Sequence, residues 1–183
     1  MEQMNSRAFV QRVSNAFREL FRRDAELFDL GTDGINEQTL TFRLGLYLVD
    51  QFPDHNVDCE YNRLWDGKKR CLRFNIRWMK PDVIVHIRKS DSANLLCIEA
   101  KKSADWKVLE TIPEDVQNKL TALTHPDEKY HYSLGLAWRI APSDNPLEHE
   151  AVWFIAGGPA LKTPLRDFEA ELFSKLGELG VLQ

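Results

Sequence analysis

The chain has 183 residues, 43% of them hydrophobic and 28% charged, a balance that excludes wholesale disorder and suits one domain with a real core. Its formal net charge of −4 argues against a protein that coats nucleic acid over its whole surface. No apolar run is long enough to span a bilayer, and Met1-Glu2-Gln3-Met4-Asn5 lacks the layout of a signal peptide, so the expected location is cytoplasmic, with no membrane partner.

Residues 7–30 carry Phe9, Val13, Phe17, Leu20, Phe21 and Leu27 at helical spacing, with Arg12, Arg18, Arg22 and Arg23 on much of the other side. Asp33-Gly34 then predicts a turn. A second helix is expected to open at Asn36, a good N-cap, with Ile35 and Leu40 placed for a hydrophobic staple. Its apolar face is Leu40, Leu44, Tyr47, Leu48 and Phe52, and Pro53-Asp54 ends it.

Strands follow at 57–62 and 70–78, expected to pair with each other. The clearest strands are 82–88 (DVIVHIR) and 95–101 (LLCIEAK), which the short polar loop 89–94 joins as an antiparallel hairpin. A helix is expected over 113–123, opened by Pro113 and acidic residues. Further strands are predicted at 133–140 and 151–156, with a turn at Gly157-Gly158-Pro159. The last helix is placed from Thr163 as N-cap and Pro164 at the first position, through Leu165, Phe168, Leu172, Phe173 and Leu176. With no repeat or low-complexity linker, the expectation is a single domain over 1–183, with an N-terminal helical extension at 1–30 and a C-terminal helix at 160–183. Its class is α/β, a mixed central β-sheet flanked by helices.

The chemistry concentrates in Pro81-Asp82 and Glu99-Ala100-Lys101. Side chains alternate along a strand, so Glu99 and Lys101 share a face with Cys97, while Leu96, Ile98 and Ala100 point the other way. In the expected hairpin the start of one strand lies beside the end of the next, which brings Asp82 to Glu99 and Lys101. A glutamate breaking the apolar run LLCI is costly unless something pairs with it. A hard cation such as Mg²⁺, or Mn²⁺ in its place, takes oxygen ligands, and Asp82, Glu99, the Ala100 carbonyl and waters would supply them. Glu37, in the first turn of the second helix, is the best further carboxylate. His86 lies on the same expected face, but imidazole matches a hard cation poorly.

Between 63 and 80 the charges are almost all basic. Lys68, Lys69, Arg70, Arg73, Arg77 and Lys80 form a candidate nucleic-acid-binding strip beside the acids, or else a solvated hairpin. Trp65, Phe74 and Trp78 interleave with it and are candidates either for base stacking or for core packing. Cys59, Cys71 and Cys97 are odd in number and fit no zinc spacing. No phosphate-cradling glycine loop, nucleophile elbow or H-E-x-x-H motif competes.

The string Pro81-Asp82 followed by Glu99-Ala100-Lys101 resembles the signature of the PD-(D/E)XK nuclease superfamily, the restriction-endonuclease-like fold. The element order over 36–140 is similar to that family's helix, three antiparallel strands, helix, strand; 7–30 and the C-terminal helix lie outside it. The layout INE…TLTFRL…PD…EAK also resembles that of small stand-alone bacterial proteins. The resemblance implies that Asp82 and Glu99 are metal-binding acids and that Lys101 positions or activates the attacking water. It implies that Glu37 is the acid carried on the helix before the sheet. Asp115, Gln117 and Lys119 match weakly the place of an extra polar residue. The function expected is a Mg²⁺-dependent nuclease acting on nucleic acid, with DNA favoured and a homodimer plausible for cutting both strands. The alternatives are a non-catalytic nucleic-acid- or protein-binding module on the same fold, and a purely structural subunit.

Overall fold

In the computed structural model the described residues are 5–28, 34, 36–64, 67–68, 70–77, 79–90, 93–103 and 112–181. Helix α1 (Ser6–Arg23) is capped by the Asn5 side chain, which accepts from the Ala8 amide at 2.8 Å. It buries Phe9, Val10, Val13, Ala16, Phe17 and Leu20. It stops at residue 23 rather than running to 30, and a 3₁₀ turn (Ala25–Leu27) follows. The carboxylate of the nearly buried Asp24 marks that stop. It accepts from Arg43 Nε at 2.9 and 3.0 Å and from the Tyr47 hydroxyl at 2.6 Å, which ties the helix end to α2 (Glu37–Gln51). Helix α2 starts as expected, with the Asn36 side chain accepting from the Thr39 amide at 3.2 Å. Of the expected Asp33-Gly34 turn, Gly34 is helical; Asp33 and the staple residue Ile35 lie outside the described residues.

The strands are β1 (Asn56–Cys59), β2 (Arg63–Leu64), β3 (Gly67–Lys68), β4 (Val83–His86), β5 (Leu96–Lys102), β6 (Leu134–Ile140), β7 (Glu150–Ile155) and β8 (Gly158–Pro164). Helix α3 (Glu114–Thr124) lies between β5 and β6, and α4 (Glu169–Glu178) follows β8. Six strands form one mixed sheet in the order β1-β4-β5-β6-β7-β8. Among the described residues only β5 and β6 pair in parallel; β2 and β3 form a separate hairpin. Among the described residues, four α-helices flank this sheet.

Two expectations are corrected. Residues 70–77 do not form a strand against 57–62. A tight turn, with Asn75 at φ 53°, folds Cys71 back onto Ile76 in a lone bridge, and β1 pairs β4 instead, from Asn56↔His86 to Cys59↔Val83. Nor does a helix begin at Thr163. Ala156 and Gly157 both take positive φ (50° and 84°), so Ile155 and Gly158 meet across a two-residue hairpin and the chain returns as β8. Thr163 is buried there and its hydroxyl accepts from Trp153 Nε1 at 3.1 Å, so it serves the sheet instead of capping a helix.

Two apolar cores result. Helices α1, α2 and α4 pack on one face of the sheet against Val83, Val85, Leu96, Ile98, Ala100, Leu136 and Trp138. Helix α3 packs on the other with Val116, Leu120 and Leu123, against Ile84, Cys97, Ala137, Val152 and Phe154. Cys71 and Met79 join this second core, so the segment around the basic strip lies over the α3 face. On the first face, His149 is fully buried and accepts from Trp138 Nε1 at 3.2 Å through Nδ1. Its Nε2 lies 2.7 Å from the Ser143 carbonyl; burial drives this imidazole down to about 4, so it stays neutral. No helix among the described residues is long and apolar enough to cross a membrane.

Candidate active site

The β4–β5 register is what assembles the site. Val83 faces Ile98 and Ile84 faces Cys97, so Asp82 stands opposite Glu99. Residues opposite each other in an antiparallel pair share a face. That face is the one Ile84 and Cys97 occupy under α3, and Lys101, two residues after Glu99, shares it. Ile98 and Ala100 point into the first core, as the alternation predicts. The Asp82 side chain is fixed by its Oδ2, which accepts from the Ala100 amide at 2.8 Å.

Glu99 is 1% exposed. Its Oε2 lies 2.5 Å from Lys119 Nζ, and its Oε1 is buried without a hydrogen-bond partner. Burial pushes this carboxyl up to about 8; the Asp82 carboxylate adds to the rise, and Lys119 and Lys101 oppose it. Asp82 is raised too, first by burial, against the pull of the Ala100 amide and of the Lys119 and Lys101 ammonium groups. Burial works to lower the Lys101 ammonium, but Glu37, Asp82, Glu99 and Asp115 together hold it above the usual lysine range. Lys101 therefore stays cationic at neutral pH.

Glu37 comes from the opposite side of the sheet. Helix α2 packs in the first core, and its N-terminal turn reaches over the end of β5. There Glu37 Oε1 accepts from the Lys102 amide at 2.6 Å, and Oε2 lies 3.7 Å from Lys101 Nζ. Its carboxylate braces Lys101 and the strand end. Among the described residues no group of three or more His, Cys, Asp or Glu side chains is close enough to hold a metal ion, so Glu37 does not join Asp82 and Glu99 as a third acid.

Lys119 is the one accessory candidate brought into contact with the acids. Asp115, one turn earlier on α3, is exposed and acts on Lys101 through its charge; Gln117 is exposed, with no contact to the acids. His86 stands at the far end of β4, buried, with Nε2 2.8 Å from Asp58 Oδ2. Arg88 also donates to Asp58 through Nε at 2.9 Å, and the Tyr61 ring lies 5.1 Å from the imidazole. His86 belongs to that group and not to the acidic pair.

The basic strip crosses the same face. The Arg73 Nη1 lies 3.2 Å from His125 Nε2, at the C-terminal end of α3. The Arg70 side chain is exposed, while its amide and carbonyl both bond the Tyr130 hydroxyl at 2.6 Å. Arg77 is exposed. Lys80 Nζ lies 3.0 Å from Glu60 Oε1, and the Glu60 amide donates to the Asp82 carbonyl at 2.9 Å, so this end of the strip touches the acidic pair. Phe74 packs half-buried on the second core; Lys69, Trp65, Trp78 and the side chain of Lys68 lie outside the described residues.

Two neighbours were not singled out from sequence. Glu60 raises Asp82 through its charge and pairs Lys80. Arg139 stands in register with Lys101 on β6 and reaches Glu150 at 3.2 Å, with its Nε buried and unpartnered. The sequence signal for Arg139 is a lone charge inside LGLAWRI.

Asp82 and Glu99 offer two carboxylates on one face of the sheet, oxygen donors of the kind a hard divalent cation takes. Mg²⁺ is commonly held by one or two carboxylates and keeps several waters, so three protein acids are not required. Glu99 Oε1 is a buried acceptor with no hydrogen-bond partner. Comparison with protein-family models, curated proteins and solved structures gives no significant match.

Proposed function

We propose that this chain is a Mg²⁺-dependent nuclease that hydrolyses phosphodiester bonds, with DNA as the favoured substrate, acting in the cytoplasm on a restriction-endonuclease-like version of its α/β sheet. One observation carries the reading: Asp82 stands opposite Glu99, with Lys101 two residues on, under one face of the sheet. Asp82, Glu99 and the Ala100 carbonyl would hold the cation. A divalent cation held there would supply Lewis-acid polarisation of the scissile phosphate and would ease deprotonation of the attacking water.

The chain's own residues supply the rest. The Ala100 amide holds Asp82 in place. Lys101, kept charged by the acids around it, Glu37 foremost, stabilises the negative charge that builds on the phosphate oxygens, a role for a fixed cation and not for a base. Glu37 positions Lys101 from across the sheet edge. The strip from Lys68 to Lys80 holds flanking phosphates, and a second copy of the chain would serve the other strand of a duplex.

A second reading has an observation in its favour. The Lys119–Glu99 pair already gives the buried acid a protein cation, as a non-catalytic binding module would need. Incubation of supercoiled plasmid, single-stranded DNA and RNA separates the two. The nuclease gives products from at least one substrate in millimolar Mg²⁺ or Mn²⁺ and none in EDTA. A binding module retards nucleic acid in EDTA and cuts nothing with either metal, which would end the nuclease reading.

A further inference from the structure

We infer that Lys119 is an internal counter-ion, and that a divalent cation must displace it to bind at Glu99, so the site loads by ion exchange. The inference rests on the reading of Asp82 and Glu99 as cation ligands. Lys119 Nζ sits 2.5 Å from Glu99 Oε2, on a carboxylate that is 1% exposed. The ammonium and a divalent cation on the two oxygens of one carboxylate would lie within about 4 Å of each other, where like charges away from bulk water repel by several kcal/mol. Occupancy by one therefore opposes the other.

The geometry also gives the displaced ammonium a way out. The Lys119 side chain is one-fifth exposed and projects from the edge of α3, beside the buried Val116 and Leu120. Asp115 lies one helical turn earlier and is exposed, at the i, i+4 spacing where opposite charges meet on a helix. Two arrangements follow: Lys119 on Glu99 with the site closed to metal, and Lys119 turned toward Asp115 or a substrate phosphate with the site open. Lys101 cannot do the same, because Glu37 and the strand end brace it from the other side.

The test is Mn²⁺ binding without nucleic acid in buffer above pH 8, where Glu99 is ionised, by calorimetry or by the spin-resonance signal of free Mn²⁺, for wild type, Lys119→Met, Lys119→Gln and Lys119→Arg. Removing a competitor that holds the closed form raises apparent affinity by the inverse of the open fraction, expected here to be about tenfold or more. Lys119→Met and Lys119→Gln should bind more tightly by that factor, and Lys119→Arg, which keeps the charge, should stay near wild type. Lys119→Gln keeps a donor for Glu99 and serves if the methionine variant fails to fold. Neutral variants that both bind Mn²⁺ no more tightly than wild type overturn the ion exchange and leave the nuclease reading standing. Absence of Mn²⁺ binding in every variant overturns both.

Discussion

Alanine in place of Lys101 is expected to lower Mg²⁺-dependent cleavage about 10²–10³-fold, the cost of removing one preorganised charge from a transition state. The loss should fall on kcat more than on KM, because in the proposed nuclease the strip around Arg70, Arg73 and Lys80 would still hold the flanking phosphates. The fold should survive: Lys101 is one-third exposed and its contact with Glu37 is 3.7 Å, a pair of the kind that contributes about 0–1 kcal/mol. Asp82→Asn should lose activity to at least the same extent, and metal affinity with it. Its amide oxygen can still accept from Ala100, so circular dichroism and melting should stay close to wild type. Cleavage unchanged in Lys101→Ala would mean that the cation beside the acids has no part in the chemistry.

Glu99→Gln is expected to inactivate the protein and, in EDTA, to stabilise it in alkaline solution. The sign follows from the direction of the shift. Glu99 in the fold holds its proton up to about 8, whereas the unfolded chain releases it near the ordinary 4.5. Native wild type therefore loses stability as pH rises through that window, because ionisation favours the unfolded chain. Glutamine keeps the shape and removes the charge. Its advantage should be small at pH 5 and reach about 2 kcal/mol or more at pH 9, less than the full shift implies because Lys119 loses its partner. Urea denaturation at pH 5, 7 and 9 measures this, and Mg²⁺ should narrow the gap by binding only the native wild type. A glutamine variant less stable than wild type at pH 9 would show that the Lys119 pair dominates, and that Glu99 carries no stored cost.

The parts of the fold that local pattern specifies could be read from the chain. Asn36 caps α2, and the apolar alternation in DVIVHIR and LLCIEAK gave both the hairpin and the face on which Asp82, Glu99 and Lys101 meet. The parts that depend on distant partners could not. Residues 70–78 alternate like a strand, but Cys71, Ile76 and Met79 satisfy the second core from a turn, and β4 offers β1 a better edge. Thr163-Pro164 has the look of a helix start. It is a strand end because Trp153, ten residues back, needs an acceptor for its indole N–H.

At the site, the spacing of two acids and a lysine was legible because strand period and hairpin closure are short-range. Which lysine meets Glu99 was not. That contact depends on how α3 lies over β5, and in sequence Lys119 was one of three weakly matched candidates on that helix, beside Asp115 and Gln117. Glu37 was expected as a further acid beside Asp82 and Glu99; it stands instead at the end of β5. Its use as a brace for Lys101 and the Lys102 amide follows from the angle of α2, which the sequence does not encode locally.

The most direct test is the anomalous difference density of Mn²⁺ in crystals of the metal-soaked protein. The expected result is a peak bound between the Asp82 and Glu99 carboxylates, with Lys119 Nζ moved away from Glu99 Oε2. An ordered site with no peak there, Lys119 still on Glu99 and Mn²⁺ bound elsewhere, would contradict the claim that this acidic pair is a cation centre.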